Sequence, residues 1–302
     1  MMNDQAQALR RLVSKKLQSG PPAPAEPGQP RSARIITVTS GKGGVGKSNV
    51  TLNFALSLQQ LGCRTLVFDA DIGMANIDVL IGSSSPYNLA HVLHGTKTLR
   101  DIIQIGPGGL HYVPGGSGLQ DLLDMPVEQI DSFLTEMDTM SEQYDVILFD
   151  TGAGLSKETL RFIMAADETW IVTTPEPTAI ADAYAVLKLV SGLGHNAPLR
   201  LIVNRASDWK EGTQTADRLI SVSERFLNRS LPVLGYIYDD PHVMQAVKKQ
   251  EPFTIVYPQC RASAQIRELA RVYTQGIKQT EAGGASGGVK QFVRKWLRRW
   301  SI

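Results

Sequence analysis

The chain has 302 residues, 42% of them apolar, enough to bury one good-sized core without requiring a second domain. Its two cysteines, Cys63 and Cys260, lie far apart with no C-x-x-C pair; no apolar run nears the ~18 residues of a membrane span and the N-terminus has no signal-peptide core, so a protein of the reducing cytosol is expected. The formal charge of +2 divides into +4 for residues 1–34, +5 for residues 289–302 and −7 for the stretch between, and basic ends on an acidic body suit partners or surfaces that the body does not share.

Asp4–Leu17 carries Leu9, Val13 and Leu17 at i, i+4 and i+8, which predicts a short amphipathic helix capped by Asn3. A helix this short is marginal alone in water, so it is expected to fold against a partner. Five prolines and two glycines between Gly20 and Pro30 make a semi-extended linker. The expected organisation is a helix over 1–19, a linker over 20–33, one folded domain over 34–280, a glycine-rich linker over 281–288 and a terminal helix over 289–302.

The folded domain begins with the β-branched strand Arg34–Thr39, then Gly41-Lys-Gly-Gly-Val-Gly-Lys-Ser48, then a helical pattern from Asn49 to Leu58. The middle segment fits G-x-x-x-x-G-K-[ST], and strand, glycine loop and helix are the context in which that pattern has a mechanism. Backbone N–H groups from Gly41 through Lys42, Gly43, Gly44, Val45 and Gly46 to Asn49 would cradle phosphates at the helix N-terminus. Lys47 would reach the β/γ oxygens and Ser48 would hold Mg²⁺. A glycine-rich turn without a ligand is the plainer alternative.

Apolar strands follow at Arg64–Asp69, Tyr144–Asp150, Glu168–Thr174, Leu199–Asn204 and Leu231–Tyr238, with a shorter one at Leu110–Val113 inside the glycine-rich stretch 106–118. Helical patterns over 177–193, 212–228 and 260–279 separate them. Near-continuous apolar strands joined by helices predict an α/β fold, a doubly wound and mostly parallel sheet covered on both faces. Carboxylates Asp69 and Asp71 end one strand and Asp150 another, at the edge where open α/β sheets bind ligands. Asp150 precedes Thr-Gly-Ala-Gly, whose glycines let backbone approach a γ-phosphate, and occupies the position of a carboxylate that holds Mg²⁺ through water. Strand-end caps and turn formers are the other readings of these residues, as of Asn204 beside Arg205.

The second lysine, Lys42, gives K-G-G-x-G-K-[ST], which resembles the deviant Walker A loop of the MinD/ParA ATPases. Phe68-Asp-Ala-Asp-Ile-Gly-Met-Ala-Asn-Ile-Asp78 is similar to a MinD segment as well. The resemblance implies ATP and Mg²⁺ as cofactors and an ATP-dependent homodimer in which Lys42 crosses to the partner's nucleotide. It implies that Asp71 orients the attacking water, with Lys42 and Lys47 as the other catalytic groups. It places Asp69 nearer the metal shell of Ser48 and Asp150, and puts Asn204, Arg205 and Asp239 around the adenine. The missing C-x-x-C pair argues against the iron–sulfur scaffold branch of this superfamily.

Asp4-Gln-Ala-Gln-Ala-Leu-Arg10 fits D-Q-A-x-x-L-R and resembles the activator helix of the FlhG family (also called FleN or YlxH), MinD-like regulators of flagellar number and placement. Thr151–Ser156 and Thr174–Tyr184 look more like this family than like division-site MinD. The resemblance implies that the helix docks on FlhF, a GTPase of the signal-recognition-particle type, through Asp4, Gln5 and Leu9, and stimulates it. Flagellar basal-body or transcription-regulator proteins are further expected partners, and specific nucleic acid is not. A ParA-type partition or cell-division positioning ATPase, a metabolic P-loop enzyme and a nucleotide-binding scaffold are the rivals; the −7 body disfavours the DNA-binding ParA type.

In Val289–Ile302, a rotation of about 100° per residue places Phe292, Val293, Trp296, Leu297 and Trp300 in one apolar stripe. Lys290, Arg294, Lys295, Arg298 and Arg299 occupy the remaining arc. That is the composition of a helix lying on an anionic membrane, similar to the targeting helix of MinD, so reversible association with the inner face of the cell membrane is expected. Docking of the stripe on the protein's own core is the alternative.

Overall fold

The apolar runs become strands of one sheet in the computed structural model, which describes residues 33–71, 76–116, 118, 127–280 and 288–297. The expected N-terminal helix with Asp4, Gln5 and Leu9, most of the two linkers, and Trp300 lie outside the described residues. The strands are β1 (Arg34–Thr39), β2 (Thr65–Ala70), β3 (Gln104–Ile105), β4 (His111–Val113), β5 (Val146–Thr151), β6 (Glu168–Thr173), β7 (Leu199–Ala206) and β8 (Val233–Tyr238). They lie in the order β3-β4-β2-β5-β1-β6-β7-β8. Each neighbouring pair is parallel except β3–β4. Every residue of β2, β5 and β6 is buried, as expected of parallel strands covered on both faces.

The longer helices are α1 (Lys47–Gln60), α2 (Asn76–Ile81), α3 (Val127–Ser141), α4 (Lys157–Ala165), α5 (Pro177–Gly192), α6 (Trp209–Leu227), α7 (Pro241–Lys249), α8 (Arg261–Thr280) and α9 (Gly288–Leu297). Side-chain alternation along the strands divides them between two layers. Ile36, Val38, Val67, Val146 and Leu148 pack with Phe54 of α1 and Ile266 and Tyr273 of α8. Ile35, Leu66, Phe68, Ile147 and Phe149 face the opposite way, toward α3, α4 and α9. Farther along that face Ile171, Leu201 and Val203 meet α5 and α6. At the base of the sheet the buried Glu168 carboxylate accepts from Arg34 and Trp170 Nε1, both at 2.8 Å, and pairs with Arg200. Those partners compensate its loss of water and tie β6 to β1 and β7.

Caps set helix starts that periodicity misplaces. α6 begins three residues before the expected 212, because the Asp208 side chain accepts from Glu211 N while Glu211 accepts from Ser207 N. It ends at Asn228, in the left-handed conformation with φ 48°.

The terminal helix is not detached from the core. α9 seats Val289, Phe292, Val293 and Trp296, each 3% exposed or less, against α3, α4 and β1. The Phe292 ring stacks on Phe149 with centroids 4.6 Å apart, and Trp296 lies 5.2 Å from Phe162 of α4. Leu297 is half-buried, and Gln291 and Arg294 point outward. The stripe that suits a bilayer also suits an apolar groove, since both remove the same surface from water.

Candidate nucleotide site

β1 delivers the glycine loop, and the loop's shape follows from its glycines. Gly44 and Gly46 take φ of 80° and 86°, a region costly for residues with a Cβ. A side chain at Gly41 would run into the Asp182 backbone of α5. The first residue before α1 is Gly46, which offers no side-chain cap, so the helix's leading N–H groups remain available to an anion.

These groups open on a cavity of about 550 Å³, lined by Gly43–Asn49, Asp71, Asn76, Ala153, Asn204, Arg205, Tyr238, Asp239, Pro241 and Met244. The volume is that of an ordinary small-molecule site. Gly41 and Lys42 do not line it. Asn204 donates to Val45 O at 2.7 Å, and Arg205, at φ 59°, donates to Gly44 O at 3.2 Å. Both grip the loop from the β7 side and border the cavity. Asp239 lies on its rim, while Asp240 caps α7 by accepting from His242 N.

The three carboxylates expected at the site, Asp69 and Asp150 near the metal and Asp71 on the attacking water, have three different environments. Asp150 is fully buried, and its Oδ1 accepts from Lys47 Nζ at 2.8 Å and Thr51 Oγ1 at 3.1 Å. Its Oδ2 is buried and has no partner among the described residues. Asp69, directly across the β2–β5 ladder from Asp150, accepts Asp71 N and Ile77 N on its two oxygens, at 3.2 and 3.0 Å. Gly115 closes over it. Burial first and the charge of Asp150 second push its carboxyl up to about 7. In this arrangement Asp69 organises the backbone that carries Asp71. Asp71 itself accepts from Asn76 Nδ2 at 2.8 Å and faces Gly152.

Lys42 turns toward its own chain. Its Nζ lies 2.7 Å from Glu176 Oε2 and 2.8 Å from Thr178 Oγ1 at the start of α5, and its side chain is 37% exposed. The lysine holds the Glu176 carboxyl below the usual carboxylate range. The sequence reading gave no role to Asn76, Glu176 or Thr178. Each sits inside a segment that stood out as a motif, which was the available signal.

Among the described residues no group of three His, Cys, Asp or Glu side chains could hold a metal. Ser48 and the unpartnered Oδ2 of Asp150 are oxygen donors beside a phosphate cradle, a set that fits Mg²⁺, which keeps waters and takes phosphate oxygens.

A glycine cradle at a helix N-terminus, with its lysine on a strand-end aspartate, defines a P-loop nucleotide-binding domain. The CobQ/CobB/MinD/ParA nucleotide-binding domain family matches residues 36–253, and the chain belongs to it. It is 38% identical over 244 residues to the antiactivator FleN of Pseudomonas aeruginosa, covering 81% of this chain and 87% of that protein. It is 37% identical over 270 residues to the flagellum site-determining protein YlxH of Helicobacter pylori, covering 88% and 90%. The septum site-determining protein MinD of Pyrococcus horikoshii, solved with Mg-ADP, superposes with a TM-score of 0.64 at 26% identity, covering 82% of this chain and 98% of that one.

Proposed function

We propose that this protein is a MinD-like ATPase that alternates between monomer and ATP-bound dimer, and through that switch regulates the number and placement of flagella. Similarity to FleN and YlxH over most of the chain supports the flagellar role. The observation that carries the switch is Lys42, held beside the cavity by an exposed ion pair in its own subunit. Such a pair contributes little, so the side chain is free to exchange Glu176 for a triphosphate across a dimer interface.

The loop and the first turn of α1 take the phosphates, and Lys47 leaves Asp150 for the β/γ oxygens. Asn204, Arg205 and Asp239 border the adenine. Ser48 and Asp150 hold Mg²⁺, with Asp69 behind them; when bound, the ion neutralises charge on the transferred phosphoryl group. Asp71, steadied by Asn76, orients the attacking water. Lys42 of the partner adds positive charge where the transition state needs it, so hydrolysis follows assembly.

Phe292, Val293, Trp296 and Leu297, with Trp300 beyond them, enter an anionic membrane only after α9 leaves its groove. α4 is the connection between site and groove. It follows the loop after Asp150, where Gly154 N donates to Ser40 O at 2.9 Å, and it carries the Phe162 ring that covers α9. The N-terminal segment, through Asp4, Gln5 and Leu9, stimulates FlhF. Light scattering with ATP tests the switch: Asp71→Ala should bind ATP, lose hydrolysis by about 10²-fold or more and accumulate as dimer, whereas Lys42→Ala should bind ATP and stay monomeric. A wild-type protein that remains monomeric with ATP and lipid would refute the reading.

A further inference from the structure

The two oxygens of Asp150 are treated differently by the fold. Oδ1 has two donors, Lys47 Nζ and Thr51 Oγ1, while Oδ2 is buried without a partner among the described residues. Thr51 lies one turn beyond Lys47 on α1 and is fully buried. Its hydroxyl is 3.1 Å from Asp150 Oδ1 and 3.0 Å from Lys47 O. A hydroxyl has one proton to give, and the carboxylate is the stronger acceptor because the bond is charge-assisted.

The two donors differ in permanence. In the P-loop reading above, Lys47 departs when phosphate arrives. Thr51 stays, because a β-branched side chain on a buried helical turn has few rotamers. We propose that Thr51 is a positioning residue for Asp150. Its hydroxyl holds Oδ1 throughout the nucleotide cycle and so fixes the carboxylate rotation that aims Oδ2 at the Mg²⁺ shell. The pattern G-x-x-x-x-G-K-[ST] ends at Ser48, so it does not demand a hydroxyl at position 51.

The test rests on the P-loop reading and uses the full chain with a fluorescent ADP, titrated in EDTA and in Mg²⁺. The quantity read is the gain in nucleotide affinity that Mg²⁺ confers. Thr51→Val keeps the shape and removes the donor. Its affinity in EDTA should match wild type, while its Mg²⁺ gain should fall about 10–100-fold, the usual cost of losing a partner behind a metal ligand. Thr51→Ser should restore the gain. Thermal melting without nucleotide checks folding, and Thr51→Ala carries the same test if the valine variant fails to fold. An unchanged Mg²⁺ gain overturns the proposal, and so does an equal loss with and without Mg²⁺, which would assign Thr51 to packing beneath the loop. Wild-type protein that binds no nucleotide in either condition would instead overturn the P-loop reading itself.

Discussion

Phe162→Ala should loosen α9 while leaving every side chain of the helix's own apolar stripe intact. The Phe162 ring sits 5.2 Å from Trp296, 6.1 Å from Phe292 and 5.3 Å from Phe149. Two of these three pairs hold α9. Aromatic pairs contribute about 0.5–1.5 kcal/mol each beyond area burial, so docking should weaken by about 1–3 kcal/mol. That is roughly a fivefold to 100-fold change in the docked-to-free ratio. Pelleting with anionic vesicles in ADP should rise accordingly and weaken in high salt, and hydrogen exchange along 289–297 should quicken. Truncation of a buried Phe costs the whole fold about 3–5 kcal/mol, so a melting curve must show that the variant is still folded. Trp296→Glu is the control, because its charge bars the helix from the bilayer even when undocked. A folded Phe162→Ala protein with wild-type exchange along α9 and no added pelleting in ADP would refute the reasoning.

Two further outcomes are expected. Burial first, then Arg229 and Lys295 of α9, lower His195 to about 4, well under the usual imidazole value near 6.5. The unfolded chain therefore binds a proton that the folded chain refuses in this window, so the contribution to stability is complete above pH ~6.5 and is lost as pH falls toward 4. Urea midpoints at neutral and mildly acid pH should differ less in His195→Gln than in wild type, and identical pH slopes would count against this. A synthetic peptide of residues 1–20 should raise GTP hydrolysis by FlhF without the ATPase domain, and Gln5→Ala should abolish that effect; a flat GTPase rate would mark the segment as inert toward FlhF.

Much of the site was legible because its chemistry is local in sequence. The loop 41–48 carries its own glycines, and Asp150 closes a strand with no polar interruption. The doubly wound sheet followed from β2, β5 and β6, whose composition leaves no solvent face. β3 was invisible, since two residues carry no periodicity. α7 was not read from the sequence, although Asp240-Pro241, a cap followed by a first-turn proline, marks its start. The role of Asp69 was not legible. Two carboxylates two residues apart look alike until the chain folds back and Ile77 N reaches one of them. The position of α9 was equally hidden, because a stripe specifies that it must be covered and not by what.

Linkage carries the switch one step further, into the dimer itself. Suppose that ATP-driven dimerisation frees α9 because the docked groove is incompatible with the paired form. Freeing α9 by any other route must then strengthen the dimer by the same free energy. Each dimer contains two such helices, so the docking ratio enters squared. A docking loss of about 5–100-fold from Phe162→Ala then lowers the dimer dissociation constant by up to about 25-fold to 10⁴-fold, the limit in which α9 is docked most of the time in the wild type. Truncation after Gly288 should reach at least the same value, with no lipid present. Sedimentation velocity in ATP over a concentration series measures it. Phe149 gives the coupling a short path: its ring stacks on Phe292, and the next residue is Asp150 at the phosphate site. Equal dimer constants for wild type, Phe162→Ala and the truncated chain would show that docking and pairing are independent, and that membrane attachment needs some trigger other than the dimer.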